Sequence, residues 1–354
     1  MKETSNILLK TKEWSLFMII GLTIILLLVL FLPFTNFVGR NLEVFLFIMG
    51  IISVLVSQVL SKDLIMEALT SPIYITLAVL FAGLLFRWFQ RPIESGILKI
   101  SEAMPYRLFI ALFVIILGLI SSVITAIIAA IILVSVIAVL KMDKQSEIRL
   151  VIMACYAIGL GAVLTPIGEP LSTIVTAKLN EEFFYLLKLI GVYIIPGVVV
   201  FGILSAFVIK PRSKSDNAGH ETEVESYGDI IIRSLKIYLF VMALTFLGAG
   251  FQPFIERFLL DLHPLVLYWI NILSAILDNA TLAAAEISPQ MSVTTIQAIL
   301  LGLCVSGGML IPGNIPNIIA AGKLKITSLQ YARFAVPVGL IAMVAYFIII
   351  AIFI

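Results

Sequence analysis

Cysteine and histidine are scarce in this sequence. Its 354 residues include two cysteines and two histidines. Cys155 and Cys304 both lie inside apolar runs, and His220 and His263 do not complete a Cys/His ligand set with them. We therefore expect neither a disulfide framework nor a structural zinc site, and no cofactor.

Charge is also scarce, because Asp, Glu, Lys and Arg make up only 12% of the chain and the net charge is +2. The basic residues occur in short clusters between apolar runs, so we expect no nucleic-acid-binding surface. The sequence has no Gly-x-Ser-x-Gly, no His-Glu-x-x-His and no phosphate-binding glycine loop, which are patterns typical of enzymes. We do not expect catalytic activity.

Hydrophobic residues are abundant. They make up 61% of the chain and give a mean hydropathy of +1.16, which is far outside the range of soluble domains. Uncharged runs of about 20 residues, the length that a spanning helix needs, recur along the chain. We predict an all-α polytopic protein in the lipid bilayer. Lys and Arg are concentrated on one predicted face, which indicates the cytoplasmic side of the cell membrane.

Two regions of the chain have the wrong length for simple spans. Residues 108–140 are too many for one span and too few for two, and the polar stretch SSVIT lies in their middle, at 121–125. Residues 264–288 have LDNAT at 277–281 in a similar position. We predict that each run forms a re-entrant hairpin, with its polar stretch at the tip.

Two other apolar runs are interrupted by proline and glycine. LTPIGEPL at 164–171 and LIPGNIPN at 310–317 both contain Pro-x-x-x-Pro with a glycine inside. Proline lacks an N–H group and glycine tolerates unusual torsions, so we predict unwound helices at Pro166 and Pro170 and at Pro312 and Pro316. Unwound backbone at membrane depth is stable only where protein or a water-filled cavity satisfies it.

These features occur in the same order in both halves of the chain. If the hairpins do not cross the membrane, each half makes three crossings, and the halves form two inverted-topology repeats, as in many transporters. The predicted divisions are N-terminal extra spans at 1–67, a first repeat at 68–209, a cytoplasmic linker at 210–229 and a second repeat at 230–354.

Two carboxylates lie inside these apolar regions. Asp278 has no cation near it in sequence, so it must be protonated, face a water-filled cavity or hold a cation; alternatively, it caps the return arm of its hairpin. Glu169 lies between two prolines, where freed carbonyls could join it around a hard cation such as Na⁺; alternatively, it bonds exposed backbone N–H groups. Glu286 and Lys178 are near predicted helix ends, and we expect both to reach the membrane interface.

Smaller polar residues accompany the two carboxylates. The amides and hydroxyls at the tips and breaks can ligate a cation or simply cap the backbone; these residues are Asn314, Asn317, Ser121, Ser122, Thr125, Asn279 and Thr281.

Four stretches resemble a known superfamily: SSVITAIIAA, LTPIGEPLSTI, LDNATLAAAEISP and GGMLIPGNIPNIIAAGKL. They are similar to the ion transporter superfamily, which includes NhaD-type sodium/proton antiporters, arsenite efflux pumps and sodium-coupled di- and tricarboxylate carriers, and most similar to a family of predicted cation transporters of unknown function. The resemblance runs from about residue 70 to the C-terminus.

This resemblance implies that each hairpin tip faces an unwound helix and forms a cation site with it. The implied first set is Ser121, Ser122 and Thr125 facing Thr165, Gly168 and Glu169, and the second is Asp278, Asn279 and Thr281 facing Gly313, Asn314 and Asn317. In the carboxylate symporters the tips usually carry Ser-Asn-Thr. Here the first tip lacks the Asn and the second has Asp in place of Ser, and the added negative charge favours cations alone.

The leading hypothesis is a secondary active transporter that exchanges Na⁺ or Li⁺ for H⁺ by alternating access, with Asp278 titrating and Glu169 coordinating. One alternative is a sodium-coupled symporter of a small anion; another is an ion channel or a non-transporting membrane scaffold. The expected partners are the lipid bilayer and a small cation, with a homodimer left open.

Overall fold

The computed structural model describes residues 16–35, 37–38, 41–140, 142–209, 226–258 and 262–353. Over these ranges the chain is helical and contains no strand. The α-helices are α1 Leu16–Phe31, α2 Leu42–Ser57, α3 Lys62–Ala103, α4 Tyr106–Ile124, α5 Ala126–Leu140, α6 Lys144–Ala162, α7 Pro170–Leu179, α8 Tyr185–Val208, α9 Tyr227–Phe258, α10 Pro264–Ile270, α11 Ser274–Leu277, α12 Asn279–Glu286, α13 Val293–Ser306, α14 Ile315–Lys323 and α15 Ser328–Phe353.

Six candidate membrane spans occur among the described residues, each long and apolar enough to cross a bilayer. Four shorter apolar helices accompany them. The prediction of a helical, multi-pass membrane protein is therefore confirmed at this level. The six spans are Phe17–Phe34, Lys62–Phe81, Tyr106–Ile124, Tyr185–Val208, Tyr227–Ile255 and Ser328–Ile352.

The two proline motifs interrupt the helical path. Helix α6 ends at Ala162, and α7 begins only at Pro170. Helix α13 ends at Ser306, and α14 begins at Ile315 after a single 3₁₀ turn over Ile311–Gly313. Proline stands at the first or second position of each new helix, where its missing N–H costs nothing. The motifs therefore end one helix and start another.

The two interrupted helices lie at the centre of the protein. Every residue from 150 to 165 and every residue from 298 to 309 is buried. Burial continues into both breaks, because Gly168, Glu169 and residues 311–320 are also buried. Protein therefore surrounds the second break and most of the first, in which Ile167 is exposed, and it supplies the partners that lipid does not.

Thr125 and Asp278 occupy equivalent interruptions. Thr125 separates α4 from α5 with φ 76° and ψ 150°, and Asp278 separates α11 from α12 with φ 72° and ψ 135°. A non-glycine residue there costs on the order of 1–3 kcal/mol, and such strain is concentrated at functional sites. Each interruption is one residue, so the non-helical part is narrower than the predicted five-residue tips.

Helix contacts in the first part of the chain have counterparts in the second. In each part, a long helix (α3 or α9) packs on the helix that follows the single-residue interruption (α5 or α12). That second helix packs in turn on the helix that follows the proline break of the other part (α14 or α7). The paired contacts are α3–α5 with α9–α12, α4–α6 with α10–α13, α6–α8 with α13–α15, and α5–α14 with α12–α7.

The predicted boundaries between the parts of the chain do not all coincide with helix ends. The boundary between residues 67 and 68 falls inside α3, which is continuous from Lys62 to Ala103. Most of the predicted linker, residues 210–225, lies outside the described residues, and α9 begins at Tyr227.

Candidate functional site

The first break positions Glu169 at the start of α7. Pro170 begins that helix, and Glu169 precedes it with extended torsions, φ −157° and ψ 163°. The Ser172 hydroxyl donates to the Glu169 carbonyl oxygen at 2.7 Å and accepts from the Glu169 amide at 3.4 Å. Gly168 fits here because a Cβ would collide with the backbone of Ala162. The backbone at Glu169 is thus fixed by Ser172 and Gly168, which leaves the carboxyl group to its surroundings.

The Glu169 side chain is 5% exposed. It faces the amides of Asn279 and Asn314 and interacts electrostatically with Asp278. Neither Glu169 Oε1 nor Asn279 Nδ2 makes a hydrogen bond with any described residue. The site therefore combines a buried carboxyl oxygen and an amide group, neither of which is fully satisfied by the protein.

The second break supplies Asn314 and Asn317. Asn314 precedes α14 with φ −157° and ψ 148°, nearly the torsions of Glu169. Its amide occupies the space left by Gly159, where a Cβ would lie 2.7 Å from Asn314 Nδ2. Asn317 Nδ2 donates to the carbonyls of Gly307 and Leu310, both at 2.9 Å. Asn314 therefore reaches Glu169, whereas Asn317 holds the break together.

Gly313 lets the second break pack against the second tip. A Cβ on Gly313 would lie 2.5 Å from the Gly307 oxygen and 2.9 Å from the Ser274 oxygen. Gly313 thus packs against Ser274 and Ala275, which precede the second tip.

The first tip lies directly on the first break. The Ala126 amide donates to the Gly168 carbonyl at 2.8 Å, and the Thr165 hydroxyl donates to the Ser122 carbonyl. Ser121 and Ser122 instead bond back to the carbonyls of their own helix, and Ser121 Oγ also lies 3.1 Å from the Ile158 oxygen. The Ser121 hydroxyl thus links α4 to α6, whereas the Ser122 hydroxyl bonds within its own helix.

A pocket of about 380 Å³ opens beside Glu169. Thr125, Gly168 and Glu169 line it together with mainly apolar side chains, including Ile315 of α14. Residues from both halves of the chain therefore form its wall. Pro170 also lines this pocket, whereas Pro312 and Pro316 are buried in the second break.

The charged groups that the structure describes at this site are acidic. Glu169 is buried and Asp278 is half-buried, and no residue lining the pocket is basic. Two neighbouring carboxylates in a poorly hydrated place are stable only when a proton or a cation offsets their charge. No cluster of three or more His, Cys, Asp or Glu side chains that could hold a metal ion occurs in the described ranges. The available ligand set is hard oxygen with few charges, which suits a monovalent cation better than zinc.

The arrangement differs from two separate tip–break sites. Asn279 of the second tip and Asn314 of the second break both face the Glu169 carboxyl group, and the charge of Asp278 acts on it. Candidates from both implied sets thus converge on one carboxylate. The side chain of Thr281 lies outside what the structure describes.

Sequence reasoning missed or misplaced several polar residues. Glu286 was expected at the membrane interface, but it is 1% exposed; Lys178 is exposed as expected. Ser172, Ser274 and Asn271 are fully buried, and they are not among the residues that the sequence predicts for the site. A signal existed for Ser172, since it stands three residues after Glu169, the spacing of a helix-capping pair.

The comparisons with known proteins identify a family. One family model, described as "Protein of unknown function (DUF1646)", matches residues 19–353. The match includes the N-terminal helices, which the resemblance from about residue 70 had left out. No curated protein matches the chain. The chain belongs to the DUF1646 family.

Proposed function

We propose that this protein is a secondary active transporter that exchanges Na⁺ or Li⁺ for H⁺, with Glu169 at the centre of its cation site. The observation that carries the proposal is the buried Glu169 carboxyl group, which lies beside Asp278 and two amides at the wall of an open pocket. Such a carboxyl group must bind a proton or a cation.

Competition for this pair of carboxyl groups is sufficient for exchange. When Glu169 and Asp278 are ionised, a sodium ion offsets their charge and takes further oxygens from amide, hydroxyl and carbonyl groups nearby. When protons neutralise them, the ion loses its electrostatic attraction and leaves. Because the site holds one occupant or the other, a gradient of either ion drives the other across the membrane. Uptake and release then occur on opposite sides as the site alternates.

The proposal includes the finer architecture. We infer that α4–α5 and α10–α12 are re-entrant hairpins and that the two parts of the chain are inverted-topology repeats. The paired helix contacts support this, as does a repeated hydrogen bond, since Ser121 bonds the Ile158 oxygen and Ser274 bonds the Leu303 oxygen. The same sequence spacing separates Ser121 from Ser274 and Thr125 from Asp278. Membership of the ion transporter superfamily and a location in the cytoplasmic membrane are parts of the same proposal.

Dissipation of a pH gradient in proteoliposomes tests the exchange. Purified full-length chain is reconstituted with a pH-sensitive dye inside, and Na⁺, Li⁺, K⁺ and Ca²⁺ are added in turn. We expect Na⁺ or Li⁺ to dissipate the gradient with the wild type, and Glu169→Gln and Asp278→Asn to reduce the rate at least tenfold. Glu182→Gln is the matched control, because Glu182 is 85% exposed, and it should retain the wild-type rate.

Two results would contradict the proposal. If no cation dissipates the gradient with well-reconstituted wild type, exchange of these ions is excluded, and sodium uptake stimulated by small anions becomes the next assay. If Na⁺ dissipates the gradient equally with Glu169→Gln, Asp278→Asn and wild type, exchange occurs but not at this site.

A further inference from the structure

A second buried carboxyl group lies away from the pocket, at the end of α12. Glu286 is the last residue of that helix and is 1% exposed. Both of its carboxyl oxygens are buried, and neither makes a hydrogen bond with a described residue. An ionised carboxylate in such a position is strongly unfavourable unless a proton or a cation offsets its charge.

Asn271 is the polar side chain that faces Glu286. It is fully buried, its Oδ1 makes no hydrogen bond with a described residue, and its Nδ2 makes one long bond, 3.4 Å, to the Ile299 carbonyl. The two Glu286 carboxyl oxygens and the Asn271 amide oxygen are therefore three buried acceptors, none of which has a described donor. Acceptors alone cannot satisfy one another, whereas a proton on Glu286 or a small cation between them can.

Hydroxyl groups hold Asn271 in place. Ser306 donates to the Asn271 backbone oxygen at 2.7 Å, and Ser306 and Ser274 share a hydrogen bond of 2.6 Å. All three residues are fully buried. The Asn271 backbone is thus fixed on the 3₁₀ turn Asn271–Leu273, which lies between α10 and α11.

The first part of the chain provides an internal comparison. The spacing that pairs Ser121 with Ser274 pairs Gly118 with Asn271 and Leu133 with Glu286. Leu133 is fully buried in α5, so an apolar residue fills this position in the first part. The shared architecture therefore does not require a carboxyl group here, and the polar pair is specific to the second part.

This pair is separate from the Glu169 site. Helix α12 has eight residues, Asn279–Glu286, so its two ends are about 10 Å apart at a rise of 1.5 Å per residue. Asn279 at one end faces Glu169, and Glu286 stands at the other end. An ion bound at Glu286 would neither share ligands with Glu169 nor replace an ion there.

No charged or titratable side chain that the structure describes on the neighbouring elements makes a hydrogen bond with the Glu286 carboxyl oxygens. Helix α12 packs against α7, α9, α11 and α13. The side chains of Arg233 and Glu256 lie outside what the structure describes. The other groups on these elements and their boundaries are Glu169, Lys178, Tyr227, Asp229, Lys236, Tyr238, Arg257, Asp278 and Cys304.

We propose that Glu286 and Asn271 form a second binding site for a monovalent cation, H⁺ or Na⁺, distinct from the Glu169 site. Either ion would place a small positive charge between a carboxyl group and an amide oxygen. The site goes beyond the exchange proposed above, and its occupancy can be measured without any transport assay.

Infrared difference spectroscopy of the full-length protein in lipid nanodiscs tests the site. Spectra are recorded while pH is changed at constant choline chloride, and while Na⁺ replaces choline at constant pH. We expect a band of a buried protonated carboxyl group that disappears as the site loses its proton. Loss on raising pH alone identifies a proton site, and loss on adding Na⁺ at constant pH identifies a sodium site.

Variants assign the band. Glu286→Gln should abolish it completely, whereas Glu169→Gln, Asp278→Asn and the exposed control Glu182→Gln should retain it. Asn271→Gly, which copies the residue at the equivalent position of the first part, should shift its frequency and keeps the test available if Glu286→Gln does not fold. The proposal is overturned if Glu286→Gln leaves the responses to pH and Na⁺ unchanged. It is equally overturned if the Glu286 band persists under every condition, since that carboxyl group would then be permanently neutral.

Discussion

Replacement of Gly161 by alanine tests the packing that holds the first tip against the first break. Gly161 lies on α6, where it contacts Gly118 of α4. An added Cβ would overlap the Gly118 oxygen, lie 2.6 Å from the Gly118 carbonyl carbon and lie 3.1 Å from Ser121 Oγ. The first two atoms are backbone, so a side chain cannot simply turn aside. Helices α4 and α6 must separate.

The expected cost follows from that overlap. Overpacking a close helix contact costs about 1–3 kcal/mol, and exchange of glycine for alanine inside a helix returns roughly 0.5–1 kcal/mol. We expect Gly161→Ala to lower the free energy of unfolding by about 1–2 kcal/mol. Gly322→Ala is the control, because no atom lies within 4 Å of a Cβ there, and it should be neutral or slightly stabilising.

Reversible unfolding in mixed detergent micelles measures both variants. Because α4 and α6 are in close contact at Gly161, the two variants should change the free energy of unfolding in opposite directions or by clearly different amounts. If Gly161→Ala were as stable as Gly322→Ala, the two helices would not approach at Gly118 and Gly161, and the placement of Thr125 against Gly168 would lose its basis.

Three further predictions concern other contacts. Tyr156→Phe removes a buried hydroxyl that donates to the Ala335 oxygen at 2.8 Å, so the free energy of unfolding should fall by about 1 kcal/mol; the exposed control Tyr74→Phe should change it by less than about 0.5 kcal/mol, and equal effects would contradict the bond. Gly159→Ala pushes on the terminal amide of Asn314, so stability should hold while the apparent sodium affinity falls about tenfold, and an unchanged affinity would show that Asn314 is not a ligand. The half-exposed Lys236 side chain pairs at 2.8 Å with Glu43, whose side chain is 13% exposed. Because solvent reaches the lysine side of the pair, Glu43→Gln should cost about 1 kcal/mol and lose part of its effect in high salt; a salt-independent loss would refute a simple ion pair.

The sequence was sufficient to predict the helix breaks. Proline and glycine act through the local backbone, so Pro166, Pro170, Pro312 and Pro316 mark the ends of helices whatever surrounds them. The single-residue interruptions at Thr125 and Asp278 were located within the predicted tips for a similar reason, since each predicted tip is polar inside an apolar run.

The partners of each carboxyl group could not be predicted in the same way. If the two breaks are aligned on their prolines, the residue equivalent to Glu169 is Ile315. The backbone torsions instead show that Asn314 occupies the position equivalent to Glu169. The convergence of both halves on Glu169 depends on how the helices cross, which local pattern does not encode. Glu286 was misplaced because a carboxylate at a helix end usually reaches water, and only the packing of α12 shows that it is buried.

Equilibrium binding of radioactive Na⁺ to the purified protein tests the central claim most directly, because it needs neither a gradient nor a known direction of transport. We predict saturable binding to the wild type that weakens as pH falls, near-complete loss of the Glu169 component in Glu169→Gln, and no loss in the exposed control Glu182→Gln. Absence of saturable Na⁺ and Li⁺ binding in folded wild type, or unchanged binding in Glu169→Gln, would contradict a cation site at Glu169.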